Sequence, residues 1–207
     1  MSKIRLFVFV ACLVAATAVQ ANDGSIAVYL DDAGTQCEGN LTGISTGSIY
    51  MNLAGATAGG ITGVEFRVDN SNNSAYSISA TPSPEANVAL GQPFASYYNP
   101  IPGANLAFPT CQTGPRVKLY SLLIQENSSA ADVNLTVRQH YQPSNEAYRC
   151  PLAVLCDAPV YTLVCIGARE SDHWRAVINP SDGVSGDCYP VAVQPTSWST
   201  VKSLYGN

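Results

Sequence analysis

Gly43-Ile44-Ser45-Thr46-Gly47 matches G-x-S-x-G, the pattern of a hydrolase nucleophile elbow. Asp172 beside His173 would complete a Ser-His-Asp set. An elbow needs a strand before the serine and a helix after it, so that the hydroxyl stands on a strained turn. Here a loop precedes Ser45 and the strand-like SIYMNL follows it. No glycine-rich oxyanion segment accompanies the match, which reads as a flexible approach to a strand. His140 and His173 are the only histidines, and no H-x-x-x-H spacing brings them together. Paired acids for glycoside hydrolysis need no closeness along the chain, and nothing singles out two of the 15 acidic residues. Asp31-Asp32 and Asp69-Asn70-Ser71-Asn72 offer oxygens that calcium accepts, but neither matches a calcium loop. Asp69 to Ser74 reads instead as a hairpin turn in which Asn and Asp cap their own backbone. The expectation is no catalytic residue, no metal and no cofactor. An extracellular hydrolase with Ser45 as nucleophile is the alternative.

The cysteines carry a stronger signal. Cys12 lies in the N-terminal apolar run, which leaves Cys37, Cys111, Cys150, Cys156, Cys165 and Cys188. Structural zinc wants cysteine pairs separated by two to four residues. The gaps in CPLAVLCDAPVYTLVC are five and eight, and no C-x-x-C redox pair exists. Six cysteines in a secreted chain point to three disulfides. Sequence does not choose among the fifteen pairings. A turn at Asp157-Ala158-Pro159 suggests a hairpin joining Cys156 to Cys165, with Cys150 reaching Cys188 and Cys37 reaching Cys111.

One segment suggests binding. FASYYNPIP, from Phe94 to Pro102, places Tyr97 and Tyr98 side by side among prolines. In a loop both rings can be exposed, and a tyrosine buries apolar area while keeping a hydroxyl for polar contacts. The low charge of the segment fits a neutral ligand, either a glycan or another secreted protein. The competing reading has one tyrosine plugging the open end of the fold.

These residues need elements to hold them. The chain opens MSKIRLFVFVACLVAATAVQA: two cations, a short apolar run, then small residues. That is the pattern of a secretory signal peptide cleaved after Ala21, and it implies a secreted or periplasmic protein. The run is too short to span a bilayer, which takes about 20 apolar residues. The whole chain carries 10 basic and 15 acidic residues, a net charge of −5. Without a basic patch, nucleic acid is excluded as a partner, and anionic membrane is repelled.

Period-two runs dominate. ITGVEFRVDN sets Thr62, Val64, Phe66 and Val68 against Gly63, Glu65, Arg67 and Asp69. SIAVYL, SIYMNL, AYSISA and ADVNLTVRQ alternate in the same way. Such runs are strands with one buried and one wet face. RVKLYSLLIQ places Val117, Leu119 and Leu123 on one face, and Tyr120, Leu122 and Ile124 on the other. The short link ENSSA suggests a hairpin between it and the following strand. Thr81 to Pro115 is irregular and proline-rich, with Ala104 to Phe108 as a candidate strand. PTSWSTVKSLYGN repeats Trp198, Val201, Leu204 and Tyr205 at helical spacing. The predicted architecture is all-β: an antiparallel β-sandwich with a disulfide-rich C-terminal extension and a short C-terminal helix. The predicted organisation is a signal peptide over 1–21, the sandwich over 22–145 and a cysteine-rich extension packed on it over 146–207.

IAVYLDD…GSIYMNLAGATAGGITGVEFRVDN resembles the start of cohesin-type and related carbohydrate-binding β-sandwiches. In those a strand carries a glycine-hydrophobic-acid-phenylalanine pattern, here Gly63-Val64-Glu65-Phe66, after a small-residue loop. The resemblance covers about a quarter of the chain and implies a sandwich that binds a partner module. It carries no binding residue onto this sequence, and the cysteine-rich tail departs from the pattern. The chain as a whole resembles uncharacterised secreted bacterial proteins, a likeness that brings no chemistry. The reading is a secreted, non-catalytic binding or structural protein.

Overall fold

The computed structural model describes residues 23–95, 102–166 and 175–186. The strands are β1 (Ser25–Tyr29), β2 (Glu38–Gly39), β3 (Ile44–Asn52), β4 (Ile61–Asn70), β5 (Tyr76–Pro82) and β6 (Val88–Gln92). They continue with β7 (Gly103–Gln112), β8 (Arg116–Glu126), β9 (Val133–Arg138), β10 (Leu152–Leu155), β11 (Leu163–Cys165) and β12 (Arg175–Ile178). They form a four-stranded sheet in the order β1-β3-β8-β5 and a larger sheet in the order β11-β10-β4-β9-β12-β2. The β6–β7 ribbon joins the larger sheet along β4. Every strand pair is antiparallel except β12 with β2. The alternating faces read from sequence meet between the sheets, where Ile26, Ile49, Met51, Phe66, Leu119 and Leu135 are all but sealed from solvent.

The expected C-terminal helix is not borne out. Among the described residues the only helical segment is the five-residue 3-10 turn Gly55–Gly59, and residues 196–205 lie outside them. Four apolar positions are too few to specify a helix, because a segment that short is marginal in water without packing. Strands β10 and β12, from the cysteine-rich segment, hydrogen-bond into the larger sheet against β4 and β9.

Three further expectations change. First, β8 and β9 do not form a hairpin. β8 lies between β3 and β5, while β9 pairs with β4 and β12 in the opposite sheet. The link between them crosses from one sheet to the other, as does the link from β4 to β5. At both corners the backbone is tied by bonds such as Asn127 N–H to Ala75 O and Ser71 N–H to Asn134 O. Second, the two faces of β8 change phase. Ile49 pairs with Tyr120 and Tyr50 with Lys118, so a bulge absorbs Leu119. Val117, Leu119, Tyr120, Leu122 and Ile124 therefore all turn inward, and Leu123 turns out, 48% exposed. A one-residue slip exchanges the faces of a strand, and a bulge does so from that point onward. Third, β7 is longer than Ala104 to Phe108 and includes Pro109. Ile61 pairs with Gln112 but Gly63 with Ala107, so the proline sits in a bulge, where no ladder donor is missed.

The predicted disulfide pairing is also corrected. The β10–β11 hairpin forms, but its register sets Leu152 opposite Cys165. That register brings Cys165 to Cys150, not to Cys156. The bonds are Cys150–Cys165 and Cys111–Cys156, each with Cα atoms 5.7 Å apart. Cys37 is disulfide-bonded as well. Cys188 lies outside the described residues.

Candidate binding surfaces

Ser45 sits inside β3, partly buried and paired with Ile124. It occupies a regular ladder, with no strained turn beneath it and no helix after it, so the elbow geometry is absent. His140 follows β9 of the opposite sheet and packs over Gly103 of β7. Asp172 and His173 lie outside the described residues. Among the described residues no group of three or more His, Cys, Asp or Glu side chains could hold a metal.

The acids singled out above are engaged in structure. Asp31 Oδ1 accepts the N–H groups of Thr35 and Gln36, at 2.8 and 2.9 Å, and Oδ2 accepts the Thr35 hydroxyl. Asp32 pairs with Lys118. Asp69 is held between Arg67 and Arg138, 2.8 Å from the Nε of each. The same device recurs elsewhere: a carboxylate that grips both the N–H and the hydroxyl of one Ser or Thr. Asp132 holds Ser181 this way, Asp157 holds Thr162, and Glu65 holds Ser144. Hydrogen bonds from Ser181 hold the Asp132 carboxyl below the usual carboxylate range, and those from Thr162 do the same for Asp157. Burial pushes Asp31 up, but its bonds from Gln36 and Thr35 outweigh that and leave it lowered.

One end of the four-stranded sheet is sealed from outside. Arg116 lies 4.8 Å from the Tyr29 ring centroid and 4.3 Å from that of Tyr50, close enough for cation–π attraction to both. It also donates to Gly34 O at 2.7 Å. The loop after β1 is thereby clamped over the sheet.

The rest of that outer face is open. Pairing of β3, β8 and β5 lines up the rows Ile44–Gln125–Ser77 and Thr46–Leu123–Ser79, with Ser121–Thr81 beyond. All eight residues are exposed, and none is charged. Ile44 is 69% exposed and Leu123 48%. Sequence reasoning missed this surface because it set Leu123 on the same face as Val117 and Leu119, which are buried. The one available signal was that both faces of RVKLYSLLIQ are apolar, which a single uninterrupted strand with one wet face does not explain.

The outer face of the larger sheet is partly covered. Residues 139–149 strap across it, anchored by Glu65, which is 6% exposed. At the edge of the strap, His140 Nε2 lies 3.4 Å from the side-chain amide of Asn105. Tyr97 and Tyr98 lie outside the described residues.

The sequence matches no protein-family model, and a search of curated proteins finds no match. Solved structures do match. A cohesin module from a Clostridium perfringens family 33 glycoside hydrolase aligns with a TM-score of 0.50 at 10% identity, over 77% of this chain and 99% of that module. The sixth cohesin of Acetivibrio cellulolyticus scaffoldin B, solved in complex with a dockerin, gives 0.46 at 13% identity, over 76% and 99%. The seventh ScaB type I cohesin of Pseudobacteroides cellulosolvens gives 0.44 at 10%, over 81% and 95%. The fold is that of a cohesin-like β-sandwich module.

Proposed function

We propose that this protein is a non-catalytic binding module that docks another secreted protein on the outer face of its four-stranded sheet. The observation that supports it is the charge-free field on β3, β8 and β5. A strand face that met only water would be expected to carry charged side chains, as the outer face of β4 does with Arg67 and Asp69. Instead two aliphatic residues stand among Ser, Thr and Gln. The field measures about 10 by 14 Å between Cα atoms at ordinary strand spacings. That suits the core of an interface, where charge is depleted and a few anchors dominate, with a polar rim around it. Lys118, Asp32 and Glu126 lie at its two ends and would form that rim.

Photo-crosslinking tests the reading. A benzophenone amino acid at position 123, in protein secreted by its own cells, is expected to give one dominant protein adduct. The same probe at Ala158, in the loop between β10 and β11, should not give that adduct. Equal labelling at both positions, or none at 123, would contradict the proposal.

A further inference from the structure

We infer that the protein self-associates through an open sheet edge: β5 pairs antiparallel with β5 of a second copy about a two-fold axis at Ser79, which joins two four-stranded sheets into one. The hydrogen-bond phase of the edge carries this. β5 ends its sheet and pairs only with β8. Ser83 N–H donates to Leu119 O at 2.8 Å, and Asn127 N–H donates to Ala75 O at 2.8 Å. Both bonds continue the unbroken register that sets Tyr76 against Glu126 and Pro82 against Tyr120. Bonded and non-bonded pairs alternate in an antiparallel ladder. Ser77, Ser79 and Thr81 therefore bond to β8, and the residues between them turn N–H and C=O to the open edge. Tyr76 is satisfied there: its N–H donates to Asn72 O at 3.3 Å, and its carbonyl accepts from Asn70 Nδ2 at 3.1 Å. Pro82 has no N–H to offer. Between these two, Ile78 and Ala80 each present a donor and an acceptor that no other described residue meets.

These four groups are self-complementary. A two-fold axis at Ser79 sets Ile78 opposite Ala80 of the second copy, and the reverse. Each N–H then meets a carbonyl, and none of the four groups is left over. The next pair outward sets Tyr76, whose carbonyl is already filled, against the proline that has no N–H to give it. Nothing on the edge opposes the approach. Residues 76–83, YSISATPS, carry no charge although the chain has a net charge of −5, and no bulge interrupts the strand. Sheet edges are ordinarily blunted by charges or bulges, because an open regular edge recruits another strand. On the outer face Ser77, Ser79 and Thr81 are exposed. At the axis Ser79 meets its own counterpart and Ser77 meets Thr81, cross-strand pairs whose hydroxyls stabilise a sheet. The same patch serves both copies, so the association closes at a dimer. One short strand pair buries little area, so the dimer is a weak, reversible one.

Sedimentation equilibrium of the purified protein, from about 10 µM to about 1 mM, is the test for a contact this small. The apparent mass of the wild type is expected to rise from that of one chain towards that of two. Ala80→Pro removes an N–H that makes no bond within the fold, and should hold the mass at one chain with Tm unchanged. Ser79→Lys sets like charges opposite each other at the axis and should weaken association at least tenfold; the position is exposed, so the fold is kept. Leu123→Arg should associate as the wild type does, which separates this edge from the protein-docking face. In amide exchange, Ile78 and Ala80 should slow at least tenfold between dilute and concentrated samples, while Ser77 and Ser79 stay protected in both. A wild type that remains one chain throughout, a variant of Ala80 or Ser79 that associates as the wild type does, or loss of association in Leu123→Arg would overturn the inference.

Discussion

Two buried tyrosines differ in one hydrogen bond, and that difference is measurable. Tyr120 packs edge-on against Phe66, with ring centroids 6.1 Å apart. Its hydroxyl is buried with no partner, and burial pushes its pKa up. Tyr76 is as deeply buried, but its hydroxyl accepts from Asn179 Nδ2 at 2.7 Å. Removing an unsatisfied buried hydroxyl removes a desolvation penalty, whereas removing one partner of a bond creates one. Tyr120→Phe is therefore expected to hold or raise the urea midpoint. Tyr76→Phe should lower stability by about 1 kcal/mol. A loss in Tyr120→Phe as large as that in Tyr76→Phe would mean that the Tyr120 hydroxyl has a partner.

At the scale of elements, the recurring carboxylate clamp ties loops to strands. The folded-state pKa values of Asp31, Asp132 and Asp157 are lowered from 3.8. A depressed carboxylate stabilises fully above its unfolded value, and that stabilisation disappears as pH falls through the folded one. Stability should be flat from pH 7 to about pH 5 as far as these groups contribute, and then fall below the ordinary carboxylate range. In Asp132→Asn the acid fall should be shallower than in wild type; identical slopes in urea titrations from pH 5 to 3 would contradict this. The disulfides act on the same loops. Cys111–Cys156 closes 45 residues of separation and joins β7 to the end of β10. Its replacement by two serines should lower stability by about 2–4 kcal/mol. Gly186 N–H donates to Glu38 Oε2 at 2.9 Å, and a Cβ on Gly186 would strike the backbone of Cys37. Peptide mapping is accordingly expected to join Cys37 to Cys188, and a free thiol at Cys188 would contradict that.

Strand identity was legible wherever alternation was uninterrupted. ITGVEFRVDN became β4 at the same bounds, and VNLTVR became β9 within the expected run. Strand partners were not, because a short link serves equally as a hairpin turn or as a corner between sheets, and only tertiary packing decides. The bulge at Leu119 leaves only the two apolar faces of RVKLYSLLIQ as a trace, which does not locate it, yet it sets which residue of β8 meets solvent. The disulfide pairing failed for a related reason: it depends on a hairpin register that the turn residues alone do not fix.

For the whole molecule, a chain with a net charge of −5 keeps a field of eight exposed residues on one sheet face without any charge and places two aliphatic side chains in it. The account stands on that face being a docking surface. The most direct measurement is a calorimetric titration of the protein captured by the position-123 probe against wild type and Leu123→Arg, with Tm recorded for both. A desolvated charge at an interface core costs several kcal/mol. The predicted result is a Kd at least a hundredfold weaker for Leu123→Arg at unchanged Tm. An unchanged Kd would show that the partner docks elsewhere, and the proposed function would fall with it.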